Sequence, residues 1–416
     1  MPDPTQRARS ARAGRGAHGG DANERDRRER ATGTRLVTHV RPITPAEHLA
    51  FVSDRTVSFL QTPAWAAVKS EWRGESLGWF DESGALAGAG LVLYRKVPRL
   101  NRYLAYLPEG PSLDWTGPGL DQHLAALVDY LKGQRAFAIR MGPPVVTRRW
   151  HATTLKTAMA DPALTLLDDV PADESDADAL AVADALAGLG WRQLSAEGGF
   201  AAGQPQFNFW VPLADAAGAA FDDDTLLAGM NQQWRRNIRK ADKEGVVVRP
   251  GRREDLADFH RIYVETAERD HFTPRPLTYF ERMWDALTAE APERLRLYLA
   301  HHEGDLVAAT TMVQVGEHAW YSYGASTTTK REVRGSNAVQ WRMLRDARDA
   351  GAVVYDMRGI TDTVAADDPH AGLLQFKVGT GGQAVEYLGE WDLPLKPVLY
   401  KAFMAWMKRR PGGGAA

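Results

Sequence analysis

The sequence predicts an α/β chain built from two similar domains. One order of elements (helix, hairpin, strand, helix, strand) occurs twice along the 416 residues, without a matching sequence repeat. That length accommodates two full hydrophobic cores. Two turn signals, Asp81-Glu82-Ser83-Gly84 and Glu303-Gly304-Asp305, each divide a pair of alternating apolar runs, as in a β-hairpin.

Order is expected to begin near Leu36. Residues 59–69 read as a turn feeding a helix, with Pro63 near its first position. Residues 76–80 and 85–94 are strand-like, and 103–107 is a third strand closed by Pro108-Glu109-Gly110-Pro111. A helix over 120–132 leads to a strand over 136–140. The acidic, aperiodic stretch 161–178 reads as a loop or linker. In the second half, 255–267 and 277–287 are helical, 295–301 and 306–315 pair as a hairpin, and 319–324 is a strand. A helix over 338–350 and a strand over 353–357 complete the copy. After an acidic loop comes Gly372-Leu373-Leu374-Gln375-Phe376-Lys377-Val378-Gly379-Thr380-Gly381-Gly382. Lys377 reads there as a strand-end cation, between an aromatic anchor and a glycine turn.

Composition narrows the chemistry. Formal net charge is −2, so a polyanion would have to be held by a local patch. The chain has no cysteine, which excludes a thiol nucleophile, thiolate zinc sites and disulfides. Its eleven histidines show no metal-ligand spacing, and no metal site is expected. No apolar run approaches the roughly 18–20 residues that span a bilayer. Residues 1–34 are rich in Arg, Ala, Gly and Asp without an apolar stretch. They read as a disordered tail rather than a secretory signal. The expected location is cytoplasmic.

Several constellations could carry chemistry. On a helix over 230–243, Met230, Trp234, Ile238 and Ala241 fall on one stripe, and Arg235, Arg236, Arg239, Lys240 and Lys243 fall opposite. The plain reading is a solvated basic face; the functional one is a phosphate or RNA contact, because guanidinium forks fit phosphate oxygens. Tyr321 and Tyr323 are expected on one face of a strand, either packing or hydrogen bonding to a substrate. Lys69 lies one helical turn beyond Trp65, where a surface lysine would lie along the indole. Tyr106, Glu109 and Asp114 flank a Pro/Gly turn, a usual lining for a cleft or simply a surface turn. Asp356 and Arg358 alternate on a strand, with a structural ion pair as the bland alternative. The stretch 331–338 opens a helix and is a loose relative of the loop that holds pyrophosphate in acetyltransferases. Arg334 and Asn337 stand there in place of glycines.

Taken together, Gln61-x-x-x-Trp65-x-x-x-Lys69, the Arg-Asn-Ile-Arg-Lys-Ala run from 236, Tyr321-Ser322-Tyr323-Gly324-Ala325-Ser326, Tyr355-Asp356-x-Arg358-Gly359-Ile360, Phe376-Lys377 and Glu386-Tyr387-x-Gly389-Glu390 resemble the FemABX family. The resemblance covers roughly residues 57–407. It implies two tandem GNAT-like acyltransferase domains, with mixed sheets flanked by helices and a C-terminal segment returning to the first domain. The expected partition is a tail over 1–34, a first, precursor-binding domain over 35–195 plus 386–410, and a second domain over 196–385 for aminoacyl-tRNA and the catalytic lysine. The implied activity is transfer of an amino acid from aminoacyl-tRNA to the stem-peptide amine of a peptidoglycan precursor, with no cofactor besides that co-substrate.

The resemblance also implies roles. Lys69, with Arg236 and Arg239 on the basic helix, would contact the precursor's diphosphate. Tyr106, Tyr321, Tyr323, Asp356 and Arg358 would bind substrate. Phe376 and Lys377 would form the catalytic pair, the lysine stabilising the transition state. An activated ester needs no enzyme nucleophile, which agrees with the missing cysteine; it needs positioning and a cation for the oxyanion. Asp114 is the candidate general base, from its place after the Pro/Gly turn. No heptad run appears, so the chain resembles compact members without a coiled-coil arm, and a monomer is expected. The stretch 395–410 is amphipathic and basic at its end. It reads as a docking helix of the first domain or as a peripheral contact with the anionic inner leaflet. Competing readings are an acetyl-CoA-dependent N-acyltransferase, which the 331–338 stretch disfavours, and an inactive precursor- or RNA-binding module.

Overall fold

A computed structural model describes residues 37–194 and 203–408; the expected tail over 1–34 lies outside the described residues. The chain opens with β1 (Val37–Pro42), α1 (Pro45–Val52), a one-turn 3-10 helix (Phe59–Gln61) and α2 (Ala64–Val68). Then come β2 (Arg73–Asp81), β3 (Leu86–Lys96), β4 (Tyr103–Leu107), α3 (Leu120–Gly133) and β5 (Ala136–Met141). A connecting region holds β6 (Val146–His151), α4 (Ala152–Ala160), β7 (Glu174–Ser175), α5 (Ala177–Gly188), β8 (Arg192–Gln193), β9 (Phe207–Pro212) and α6 (Asp223–Gly229).

The basic helix α7 (Gln232–Lys243) leads through β10 (Val247–Pro250) to α8 (Leu256–Asp270), α9 (Leu277–Glu290), β11 (Leu295–His302), β12 (Asp305–Val315) and β13 (His318–Ser326). The chain ends in α10 (Gly335–Asp349), β14 (Val354–Gly359), α11 (Ala371–Val378), β15 (Gln383–Tyr387), β16 (Trp391–Pro394) and α12 (Pro397–Lys408).

Two mixed sheets result. The first has the order β1-β2-β3-β4-β5-β16-β8 and the second β10-β11-β12-β13-β14-β9-β15-β6-β7. Each has a single parallel pair, β4 with β5 and β13 with β14, and each pair is bridged by a crossover helix, α3 or α10. Parallel neighbours require such a crossover, so the doubled order in the sequence is the doubled unit of the fold. Strands β6 and β7, inside the 35–195 span, join the second sheet, and the return to the first begins with β16. Helix α12 then covers β5, with Phe403 against Phe137 at 5.1 Å.

The two units share a seam. One apolar cluster joins Phe59, Trp65 and Leu91 of the first to Phe259, Phe280, Leu297 and Trp320 of the second. Phe59 meets Trp65 at 5.2 Å and Trp320 at 5.3 Å, both edge-on, a favoured aromatic geometry. The Ala64 N–H donates to Glu290 Oε1 at 2.9 Å, so the start of α2 is tied to the end of α9.

The sequence reading of Lys377 as a strand-end cation is corrected. Residues 371–378 are helical, and Lys377 lies in the last turn of α11. The glycines after it do make the turn: Gly381 has φ +83°, and a Cβ there would run into the Gly229 carbonyl. Tyr321 and Tyr323 do not share a face either. Ser322 is an extra residue opposite Thr311 and Met312, so the side-chain alternation reverses. Tyr321 packs on the second sheet's own core and Tyr323 on the shared seam.

Candidate active site

The site grows from Gln61. Its Oε1 accepts the Leu91 N–H at 2.9 Å and its Nε2 donates to Pro108 O at 2.8 Å, tying the one-turn helix to β3 and to the turn after β4. That turn carries Glu109, in a left-handed backbone (φ 45°) and nearly buried. Ser58 Oγ donates to Glu109 Oε2 at 2.6 Å, and Arg358 Nη1 donates to Oε1 at 2.8 Å. Arg358 Nη2 reaches Gln204 Oε1 at 2.9 Å. The fork of Arg358, from the second sheet, therefore locks onto the first unit's turn. An ion pair this dry is expensive to break, because it leaves an uncompensated charge.

Arg358 itself sits at φ 62°. Asp356 Oδ1 accepts its backbone N–H at 2.6 Å, and Asp356 Oδ2 lies 3.4 Å from His318 Nε2. The bland alternative, a side-chain ion pair between Asp356 and Arg358, does not form as such: Asp356 holds the backbone of Arg358, while the guanidinium pairs with Glu109. The β14–β9 register shifts at this kink. The carbonyls of Arg358 and Gly359 both accept from Lys377 Nζ, at 3.1 and 2.6 Å. An ammonium has three donors, so one remains for another oxygen. Lys377 is 3% exposed. Burial, aided by Arg358, pulls it down to about 7, against the upward pull of Asp356. Burial opposes ionisation of Asp356, yet His318 and Arg358 hold it below the usual carboxylate range.

Tyr106 and Glu390 form a second buried pair, the phenol donating to Glu390 Oε1. Burial pushes Glu390 up to about 7, with Arg140 opposing. Its Oε2 is buried without a hydrogen-bond partner among the described residues. Tyr106 is shared with a narrow cleft lined by Trp65, Lys69, Trp72, Leu93, Pro108 and Gln204. Lys69 is 6% exposed there, which rules out the surface lysine of the plain reading. Burial lowers it to about 8, helped by Arg275 and Arg95 and opposed by Glu71. Arg275 is half-buried and lies over the Tyr279 ring at 5.0 Å. The hydroxyls of Tyr279 and Tyr323 meet at 3.1 Å. Neither Lys69 nor Arg275 has an ion-pair partner among the described residues. Around Lys69 the cations Arg275 and Arg95 stand against the single opposing pull of Glu71, and such an excess of positive charge suits an anion.

The structure thus gathers Lys69, Tyr106, Tyr323, Asp356, Arg358 and Lys377 around the seam. It places others elsewhere. Asp114 is exposed and accepts the Gly117 N–H at 2.9 Å, closing a turn, with no bond to this network. Tyr321 is on the far side of the second sheet, its phenol pushed up to about 12 by burial. Arg236 and Arg239 are on the exposed face of α7. The buried face of that helix does reach the residue before the lysine: Trp234 packs at a tilt on Phe376 at 4.7 Å, and its indole N–H donates to Phe376 O at 2.8 Å. Arg275, Gln204, Ser58 and Glu390 received no role from the sequence. Glu390 stood in a quoted motif, and Arg275 lies between two prolines in an aperiodic loop. Among the described residues no His, Asp or Glu cluster could hold a metal ion.

The FemAB family model matches residues 43–303 and 294–408. The chain is 25% identical over 433 aligned positions to the lipid II:glycine glycyltransferase of Staphylococcus aureus strain MRSA252, covering 86% of this chain and 93% of that one. The protein of the same name from strain USA300 aligns with the same identity and coverage. The crystal structure of FemX superposes with a TM-score of 0.72 at 24% identity, over 88% of this chain and 99% of that one. The doubled α/β fold with its returning C-terminal strand and the match along nearly the whole described chain lead to one conclusion: this chain belongs to the FemAB family.

Proposed function

We propose that the protein transfers an amino acid from aminoacyl-tRNA to the stem-peptide amine of a peptidoglycan precursor. The observation that carries the reading is the pair of half-buried to buried cations, Lys69 and Arg275, neither of which is held in an ion pair among the described residues. It is a fitting seat for the precursor's diphosphate, with Arg275 in the place first expected for Arg236 or Arg239. The exposed cations of α7 then serve the tRNA backbone, and Trp234 couples that helix to the catalytic lysine.

The acceptor amine attacks the ester carbonyl, and the carbon becomes tetrahedral with charge on its oxygen. Lys377, fixed by two carbonyls, has one donor left for that oxygen. The C–O bond to the ribose then breaks, the ribose oxygen takes a proton, and an amide remains. The amine must shed a proton to attack productively. Glu390 is better poised to take it than Asp114: it is buried, titrates near neutrality and has a free oxygen. Arg358, Glu109 and Asp356 hold the lysine's carbonyl cradle.

The test is to incubate the protein with a mixed charged-tRNA pool and precursor, and to weigh the product. A mass gain of one aminoacyl residue that disappears when the tRNA is deacylated supports the reading. Transfer of an acetyl group from acetyl-CoA, with no dependence on tRNA, would replace it with the acetyltransferase reading.

A further inference from the structure

One end of the first sheet is basic and carries exposed aliphatic side chains, and it adjoins the cleft. Register fixes what meets there: Lys96 at the end of β3 pairs with Tyr103, Tyr103 with Ala136, and Pro394 with Ala138. The Leu395 and Lys396 N–H groups both donate to Phe137 O, which sets the start of α12 at this same end. The β3–β4 turn supplies Lys96, Arg99 and Arg102, the α3–β5 turn Arg135, and the approach and first turns of α12 Lys396 and Lys401. None of these six has an ion-pair partner among the described residues. The acids nearby are engaged: Glu75 Oε2 accepts from Tyr94 at 2.6 Å, and Asp129 pairs with Lys132 at 3.1 Å.

Amid these cations, Leu100 is 46% and Val398 84% exposed. Val97 and α12 pack in one cluster, so the turn and the helix form a single face. That face leads into the cleft, because Arg95 lies over Trp72 at 5.4 Å and Trp72 is a cleft wall.

We infer that this end docks on an anionic phospholipid surface, with Leu100 and Val398 entering the headgroup layer and the cations facing lipid phosphates. Charge complementarity selects the occupant: six unpaired cations around two isolated aliphatic tips suit a charged interface rather than an apolar protein groove. The inference rests on the proposed acceptor chemistry in one respect only. A diphosphate seat beside a lipid-docking end suits an acceptor held on a lipid.

The test is sedimentation of the full chain, without substrates, with vesicles of phosphatidylglycerol and phosphatidylcholine and with phosphatidylcholine vesicles alone. Each cation near an anionic surface strengthens binding about fivefold. Wild type is expected to bind the anionic vesicles, more weakly as salt rises, and to leave the neutral ones in solution. Arg99→Glu/Arg102→Glu and, separately, Leu100→Asp are expected to lower partitioning at least about tenfold, with unchanged melting temperature. Equal binding to both vesicle types, or full binding by both variants, would overturn the inference. Transfer to a soluble nucleotide-linked acceptor is expected to be unchanged in these variants. The vesicle result therefore stands or falls separately from the activity.

Discussion

Replacing Asp356 by Asn keeps the size of the side chain and removes its charge. The amide oxygen can still accept the Arg358 N–H now held at 2.6 Å, so the kink that presents the two carbonyls to Lys377 should survive. What changes is the field at the ammonium. Lys377 titrates near 7 because burial outweighs the upward pull of Asp356. Without that charge its pKa falls; one neighbouring charge commonly moves a buried group by about one to three units. A fall of about one unit, about 1.4 kcal/mol, leaves roughly a tenth of the lysine charged near pH 7 instead of about half. Transfer at that pH should drop about fivefold. Because the missing species is the protonated one, the deficit should shrink as pH falls. The assay is single-turnover transfer by both proteins from about pH 5.5 to about pH 8, plotted as a ratio. A ratio that approaches one in acid supports the reasoning, and a ratio flat with pH refutes it.

Four further outcomes follow from the same geometry. Glu390→Gln should lose the rising limb of the pH profile near 7 and about 10²-fold or more in transfer, as for a positioned base; a retained limb would move that role elsewhere. Arg275→Met should weaken precursor binding more than binding of a precursor fragment lacking phosphates, measured by calorimetry, and equal losses would remove Arg275 from the diphosphate seat. Arg236→Ala/Arg239→Ala should weaken tRNA binding and flatten its salt dependence; an unchanged salt slope would return α7 to a merely solvated face. Trp234→Ala deletes the indole packed against Phe376 and should cost about 3–5 kcal/mol of stability in denaturant, with a much smaller loss arguing that α7 is loosely held.

Much of this architecture was legible in the sequence where the signal is local. The hairpins at 81–84 and 303–305 announced themselves through alternation and turn chemistry, and the apolar residues expected on one stripe over 230–243 are buried or half-buried, although Met230 is extended and precedes α7, leaving Trp234, Ile238 and Ala241 on the helix. What was not legible depends on tertiary contact. Ala371–Val378 is a short helix with apolar residues on several sides, so its period resembles a glycine-stopped strand. The bulge at Ser322 depends on how β13 meets β12, and no pattern within Tyr-Ser-Tyr shows it. Arg275 gains meaning only because α2 and α9 pack together and bring Lys69 beside it. Glu390 stands in a recognisable motif, yet its altered titration comes from burial against Tyr106. The Arg358–Glu109 pair joins residues 249 positions apart.

The central claim is that Lys377 acts on the transition state rather than on binding or folding. Lys377→Met tests it, because Met replaces the buried lysine at similar volume and removes a charge that burial disfavours. The folded lysine binds its proton less tightly than the unfolded one, so wild-type stability rises between about 7 and the ordinary lysine range. The variant lacks that dependence, and its stability relative to wild type should be greatest in acid. The decisive measurement is transfer from aminoacyl-tRNA by Lys377→Met at saturating precursor, with precursor affinity determined on the same sample. The account predicts unchanged affinity and transfer lowered about 10²-fold or more; transfer near the wild-type rate would contradict it.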